Sequence, residues 1–301
     1  MICMNKSQSA MEYLMTYGWS ILIVAVVLGA LSFLGIFNPL TFTPKAQPGS
    51  CQVIKNTELG VSNFVGSCNN QVPQYVAKFN GSNYFVLNNF VPQEGASQYT
   101  VSMWAYLTNS SQQDLVVEYT QTVTASGCST YSIAANPITI NAWNQNYGPN
   151  WYTSNSDISV PLNSWNMITI TLSGGGTGTG TMDVYVNGAL SANIVGQEML
   201  HTDIGNPITE IGGGSTGCLG NLKGSLEGKI ANMQMYNSTL DSNAISMLYS
   251  EGIGGAPVDM QSLVGWWPLN GDVNDYSGNN YNGAATNLAY ISSWFGGYTQ
   301  P

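Results

Sequence analysis

Hydrophobic and polar residues alternate with a period of two over much of the chain beyond residue 75. Tyr99, Val101, Met103, Ala105 and Leu107 interleave with Thr100, Ser102, Trp104 and Tyr106, the pattern of a strand with one buried face. Ile168, Ile170 and Leu172 repeat it, as do Met182, Val184 and Val186. Asn187-Gly188 lies between two such runs and predicts a type I′ hairpin, whose two central residues need positive φ. Gly174 to Gly180 reads as a surface loop by composition. One short helix is expected from about Asp241 to Glu251. Asp241 or Ser242 caps it, Ile245 and Leu248 face inward, and Gly252 ends it. Many short strands with a single helix predict a mainly β, two-sheet jelly-roll sandwich over residues 76–301.

The N-terminal pattern differs. From Ala10 to Phe37 the sequence is apolar enough to cross a bilayer, for which about 20 residues suffice, and Glu12 is its only charge. Asn38-Pro39 and Pro44 break the helical run. No A-x-A-like site follows it, so a conventional secretory leader is not expected. The chain therefore divides into an apolar helix that ends at Phe37, a linker (38–75) that contains Cys51 and Cys68, and the β domain.

Composition narrows the partners. Only 7% of residues are charged, the net charge is −10, and there is no arginine. Amide and hydroxyl side chains must build the polar surface, and nucleic acid and anionic lipid surfaces are disfavoured as ligands. Five cysteines become four if Cys3 leaves with the leader, the even number expected outside a cell. Cys51, Cys68, Cys128 and Cys218 allow three pairings. Closeness in sequence favours Cys51 with Cys68, which leaves Cys128 with Cys218. Zinc is the weaker alternative, because there is no CxxC and His201 is the single histidine.

Ser7-Gln8-Ser9-Ala10-Met11-Glu12-Tyr13 resembles the processing site of archaeal type IV pilins and pilin-like proteins, which carry class III signal peptides. The resemblance implies a cut between Ser7 and Gln8 by a prepilin peptidase, which makes 1–7 a leader and keeps a hydrophobic transmembrane or filament helix (8–37) on the mature protein. Glu12 then becomes the fifth mature residue, an assembly residue that pairs with the free N-terminus of a neighbouring pilin-like subunit. A buried carboxylate is tolerable once it meets an ammonium. Ser7 stands where the family more often has glycine. The alternative is an uncleaved signal anchor, with Lys6 holding the N-terminus inside.

Four further passages resemble the laminin G-like, concanavalin A-like jelly-roll family: Phe79–Val86, Tyr99–Trp104, Asp183–Gly188 and Leu226–Ala231. The passage that normally opens such a domain is matched by Leu263–Gly271 with Asp275–Asn279, at the end of the chain instead. A circular permutation is expected, in which segment 259–301 closes the same sandwich and covers an edge that would otherwise aggregate. A truncated second repeat is the alternative.

Candidate chemistry is sparse. Trp143, Asn146, Tyr147, Trp151 and Tyr152 concentrate rings and amides in what reads as one loop. Aromatic rings with polar neighbours suit the C–H faces and hydroxyls of sugars, although packing over one end of the sandwich is the other reading. Asn270, Asp272, Asn274 and Asp275 form an oxygen-rich turn that suits calcium or simple Asx turns; no cofactor is required. Asn80, Asn109 and Asn237 head N-glycosylation sequons. Glycoside hydrolysis needs two carboxylates across one bond. Glu227 stands alone, and alternation puts Asp114 and Glu118 on one solvated face, so no catalytic residues are assigned. The combined expectation is a membrane-held, cell-surface pilin-like subunit or adhesin, structural or glycan-recognising, with its β domain outside the cell. A monomeric anchored lectin-like protein is the alternative, and a glycan hydrolase a minor one.

Overall fold

The computed structural model describes residues 17, 20–29, 53–55, 62–64, 72–88, 90, 98–120, 130–144, 150–174, 180–197, 207–213 and 225–301. The chain divides into two compact units, Met1–Lys45 and Ala46–Pro301. In the first, residues 20–29 form helix α1, and Ile21, Leu22, Ile23, Val24, Val26, Val27 and Leu28 are all exposed. Among the described residues no helix is long and apolar enough to cross a membrane. Ser7, Gln8, Glu12 and most of the expected 8–37 helix lie outside them, as do Cys51, Cys68, Cys128 and Cys218.

The second unit is a two-sheet sandwich. Its strands are β1 (Val53–Lys55), β2 (Ser62–Phe64), β3 (Val76–Asn80), β4 (Tyr84–Asn88), β5 (Gln98–Leu107), β6 (Gln113–Thr120), β7 (Thr130–Ala135), β8 (Thr139–Asn144), β9 (Asn150–Asn155), β10 (Trp165–Ser173), β11 (Gly180–Val186), β12 (Ala189–Gln197), β13 (Pro207–Ile211), β14 (Glu227–Tyr236), β15 (Leu263–Trp267), β16 (Ala284–Thr286) and β17 (Ala289–Ile291). Helix α2 spans Ser242–Glu251. One sheet has the order β12-β11-β10-β5-β14-β3-β17, with β15 also on β14; the other runs β16-β4-β13-β6-β7-β8-β9. Strands β1 and β2 pair separately.

Local sequence explains several of these elements. Asn187 and Gly188 take φ of 53° and 77° and join β11 to β12 in antiparallel register, as the dipeptide predicts. Asp241 caps α2 through a bond from Ala244 N at 2.8 Å. Gly252 ends the helix, and Ile245 and Leu248 are buried.

The C-terminal segment is woven into both sheets. Strand β15 pairs with β14, β16 with β4, and β17 with β3. Strand β14 keeps β5 along one edge, while its other edge is shared end to end by β3 (at Glu227–Ile230) and β15 (at Met233–Tyr236). Asn232 stands at the changeover with φ 49°. Its Oδ1 accepts from Trp266 Nε1 at 2.7 Å and Gln234 Nε2 at 3.0 Å, and its Nδ2 donates to Gly255 O at 2.8 Å.

Two hydrophobic clusters result. The first, between the sheets, includes Phe79, Phe85, Met103, Val116, Ile133, Ile170, Val184, Ile211 and Trp267. The second lies on the other side of β5 and β14 and gathers Trp104, Trp165, Tyr236, Ile245, Leu248, Trp266 and Trp294. The one-faced burial expected for β5 is thereby corrected: every residue from Tyr99 to Ala105 is buried, because α2 and the C-terminal segment cover its second face.

Helix α2 carries a pH-dependent term. Burial pushes Glu251 up from its ordinary 4.5 to about 7, and the negative end of the helix dipole acts in the same direction. The folded chain then holds a proton more tightly than the unfolded one between pH 4.5 and 7, so stability falls as pH rises through that window. Glu251→Gln is expected to match the parent at pH 4 and to exceed its Tm at pH 8. The gain is about 1 kcal/mol or less for a half-exposed group, readable by calorimetry across pH.

Candidate functional site

The seven-stranded sheet positions the candidate residues through a single irregularity. On β6 the register against β7 shifts between Asp114 and Val116, so Leu115 is an inserted bulge residue. Leu115 and Val116 both enter the inter-sheet core. Asp114 pairs with Ala134, and Glu118 with Tyr131. Because 134 and 131 differ in parity, Asp114 and Glu118 lie on opposite faces. Both are fully buried. The expectation that they share one solvated face is corrected on both counts.

Of residues 143–152, expected to form one loop, Trp143, Asn144 and Asn150–Tyr152 are strand residues, and 145–149 lie outside the described residues. Strands β8 and β9 pair with Trp143 opposite Trp151 and Asn144 opposite Asn150; Asn146 and Tyr147 lie outside the described residues. The Trp143–Trp151 row continues through Thr130 to Tyr119. The neighbouring row runs Thr153, Asn141, Ser132, Val117, Glu210, and the next is Asn155, Thr139, Ala134, Asp114. All three rows have the parity opposite to Ile133 and Ile140, which belong to the inter-sheet core. They therefore share the outer face of the sheet. Tyr152 is opposite Ala142, in the alternate row, and so does not join Trp143 and Trp151.

The sheet thus lines up the positions of Trp143, Trp151, Asn141 and Thr153 on one face at the β9 edge, while Asp114 on β6 and Glu210 on β13 lie on the same face three and four strands further in. Ser132, Thr139, Asp114 and Glu210 are buried there. Sequence reasoning missed Asn141 and Thr153, because only the cross-strand register places them in the row next to Trp143 and Trp151; it also missed that Tyr119 continues the tryptophan row and that Glu210 shares the face. Directly opposed residues on a strand pair are about 5 Å apart. Two tryptophan positions at that spacing match the width of about one sugar ring, and the Asn141 and Thr153 positions stand in the next row.

The other predicted sites take clear positions. Asp275 stitches its turn to β15: Oδ1 accepts from Trp266 N and Ser277 N at 3.0 and 2.8 Å, and Oδ2 from Ser277 Oγ and Tyr281 N at 2.9 and 3.0 Å. Asp272 accepts from Asn274 N, Asn274 Nδ2 and Tyr276 OH, and Asn270 Oδ1 accepts from Tyr75 N. Burial, and then Asp272, hold the Tyr276 phenol above its ordinary range. Asp272 and Asp275 thereby close Asx turns onto Asn274 N and Ser277 N. Among the described residues no three His, Cys, Asp or Glu side chains gather in a metal-holding group. Of the sequon residues, Asn80 and Asn237 are exposed, whereas Asn109 is half-buried with Nδ2 3.5 Å from Glu227 Oε2.

Residues 79–246 match the family model of the Concanavalin A-like lectin/glucanases superfamily, of laminin G type. The chain belongs to this superfamily. Among solved structures, one with a TM-score of 0.50 agrees on the fold. A candidate carbohydrate-binding protein from Bacteroides ovatus is 15% identical with a TM-score of 0.50, over 73% of this chain and 60% of that one. The CBM40 of Ruminococcus gnavus IT-sialidase, bound to α2,3-sialyllactose, gives 16% identity and a TM-score of 0.44 over 61% of this chain and all of that one. Domain 4 of a Geobacillus stearothermophilus arabinanase, in complex with arabinotriose, gives 14% and 0.43 over 61% and 84%. The chain spans less than two thirds of the Bacteroides ovatus protein, and at these identities the likeness concerns the fold alone. No curated protein matches the chain.

Proposed function

We propose that this superfamily member is a glycan-recognition domain displayed at the cell surface, and that it reads sugars with the outer face of its seven-stranded sheet at the β8–β9 hairpin. The observation that carries the reading is the cross-strand row in which Trp143 opposes Trp151, flanked by the Asn141–Thr153 row. Display rests on the sequence: the apolar run from Ala10 and the Gln8/Glu12 spacing favour a pilin-like subunit, anchored in the membrane before processing and assembled with other subunits afterwards. A mature N-terminus at Gln8 supports that part, and an intact Met1 reduces it to a monomeric anchored lectin-like protein.

The glycan part is tested on an array of neutral and acidic oligosaccharides. Trp151→Ala is expected to lower the signal of the best-bound sugars at least about tenfold, since stacking positions at the centre of a site are worth about 2 kcal/mol. Unaltered binding would remove this face from consideration.

A further inference from the structure

The outer face of the eight-stranded sheet carries an unusual charge arrangement. Only six lysines and no arginine serve a chain of net charge −10, yet two of the six, Lys78 on β3 and Lys229 on β14, are direct cross-strand partners. Like charges placed opposite one another weaken a sheet. With 16 acidic residues to draw on, a neutralising partner would be simple to supply, but none stands in this row. Tyr106 opposes Lys229 on the other side, and Ala289 opposes Lys78. The nearest acid on that face of β14, Glu227, has one carboxylate oxygen 3.5 Å from Asn109 Nδ2 and the other beside Gly81. Among the described residues neither ammonium meets a carboxylate.

The pair is also held in place. The Lys229 ammonium sits 3.7 Å from the centre of the Tyr106 ring and 5.9 Å from that of Trp165, a cation–π setting that fixes the charge while leaving it unneutralised. Burial, and then the charge of Lys78, hold Lys229 below its ordinary range. Lys78 is exposed and Lys229 and Tyr106 are half-buried, so the spot is open to solvent.

We propose that Lys78 and Lys229 form a second subsite, on the sheet opposite the β8–β9 hairpin, that binds the carboxylate of an acidic sugar. The source is a saccharide rather than the acidic surface of a second copy of this chain, because two bodies of charge −10 repel at the range where they would have to meet. The inference rests on the glycan reading above but not on the hairpin face.

The test titrates the full-length chain in neutral detergent micelles, at low ionic strength, with three probes: tri-galacturonate, the neutral trisaccharide in which each carboxylate is reduced to a hydroxymethyl group, and hexaglutamate. Tri-galacturonate is expected to bind about fivefold more tightly than its neutral counterpart, the upper end for a partly exposed ion pair, and the gap should close at high salt. Lys78→Gln and Lys229→Gln should each erase the gap. Lys78→Gln should do so without lowering Tm, since it removes a repulsion. Trp151→Ala should weaken both sugars and keep the gap. If Trp151→Ala changes nothing while the lysine variants still erase the gap, the hairpin reading fails and this one stands. Equal affinity for the two sugars, no binding of tri-galacturonate, a gap that survives in both lysine variants, or hexaglutamate binding as tightly as the acidic sugar would each overturn it.

Discussion

A chain ending at Val258 is expected to show no cooperative unfolding transition. The truncation removes β15, β16 and β17, which pair with β14, β4 and β3 respectively. It exposes backbone donors and acceptors on three strands, on both sheets. It also takes Trp267 from the inter-sheet cluster, and Trp266 and Trp294 from the cluster beneath α2. All three are essentially inaccessible to solvent, and their indole nitrogens are bonded to Tyr281 O at 2.9 Å, Asn232 Oδ1 at 2.7 Å and Pro73 O at 3.1 Å. Removing one buried tryptophan side chain costs about 3–5 kcal/mol. Three together reach the whole stability of an ordinary domain, about 5–15 kcal/mol. Near-ultraviolet circular dichroism during a thermal ramp reads the outcome. A truncated chain that melts sharply near the parent temperature would mean that the C-terminal strands are an appendage.

Asn232→Ala is expected to destabilise the domain by about 3–5 kcal/mol in chemical denaturation. Three consequences combine at this one residue. Trp266 Nε1, Gln234 Nε2 and Gly255 O lose their buried partner, and each buried group left unmet costs about 1–3 kcal/mol. Alanine must also hold φ 49°, which disfavours an L-residue by about 1–2 kcal/mol. The terms overlap, because neighbouring groups relax together. Asn232→Gly separates them: it keeps the backbone conformation and loses the bonds, and should recover about 1 kcal/mol relative to alanine. An alanine variant within 1 kcal/mol of the parent would deny that Asn232 joins β15 to the sheet.

Features written in local chemistry were legible in the sequence. Asp241 and Gly252 announce both ends of α2, Asn187-Gly188 announces its turn, and period-two alternation announces β5, β10 and β11. The laminin G resemblance agrees with the superfamily to which residues 79–246 assign the chain. What was not legible depends on partners far along the chain. Alternation cannot reveal the bulge at Leu115, so it put Asp114 and Glu118 on one face. It cannot reveal that α2 and the C-terminal segment cover the second face of β5 either. Ring-and-amide composition around residues 143–152 suggested a loop, whereas the register puts its two ends, at Trp143 and Trp151, on paired strands and places Tyr152 in the alternate row. The Lys78–Lys229 pair was equally invisible, since 151 residues separate two side chains that only β3–β14 pairing brings together.

The central claim is that sugars bind on the hairpin face of the seven-stranded sheet. The most direct measurement follows backbone amide shifts of the isotope-labelled protein during titration with the oligosaccharide that gives the strongest array signal. The account predicts that the largest shifts fall on β8 and β9, at residues 141–144 and 150–153. Shifts confined to the eight-stranded sheet or to the 270–283 turn, with the hairpin amides unmoved, would contradict it.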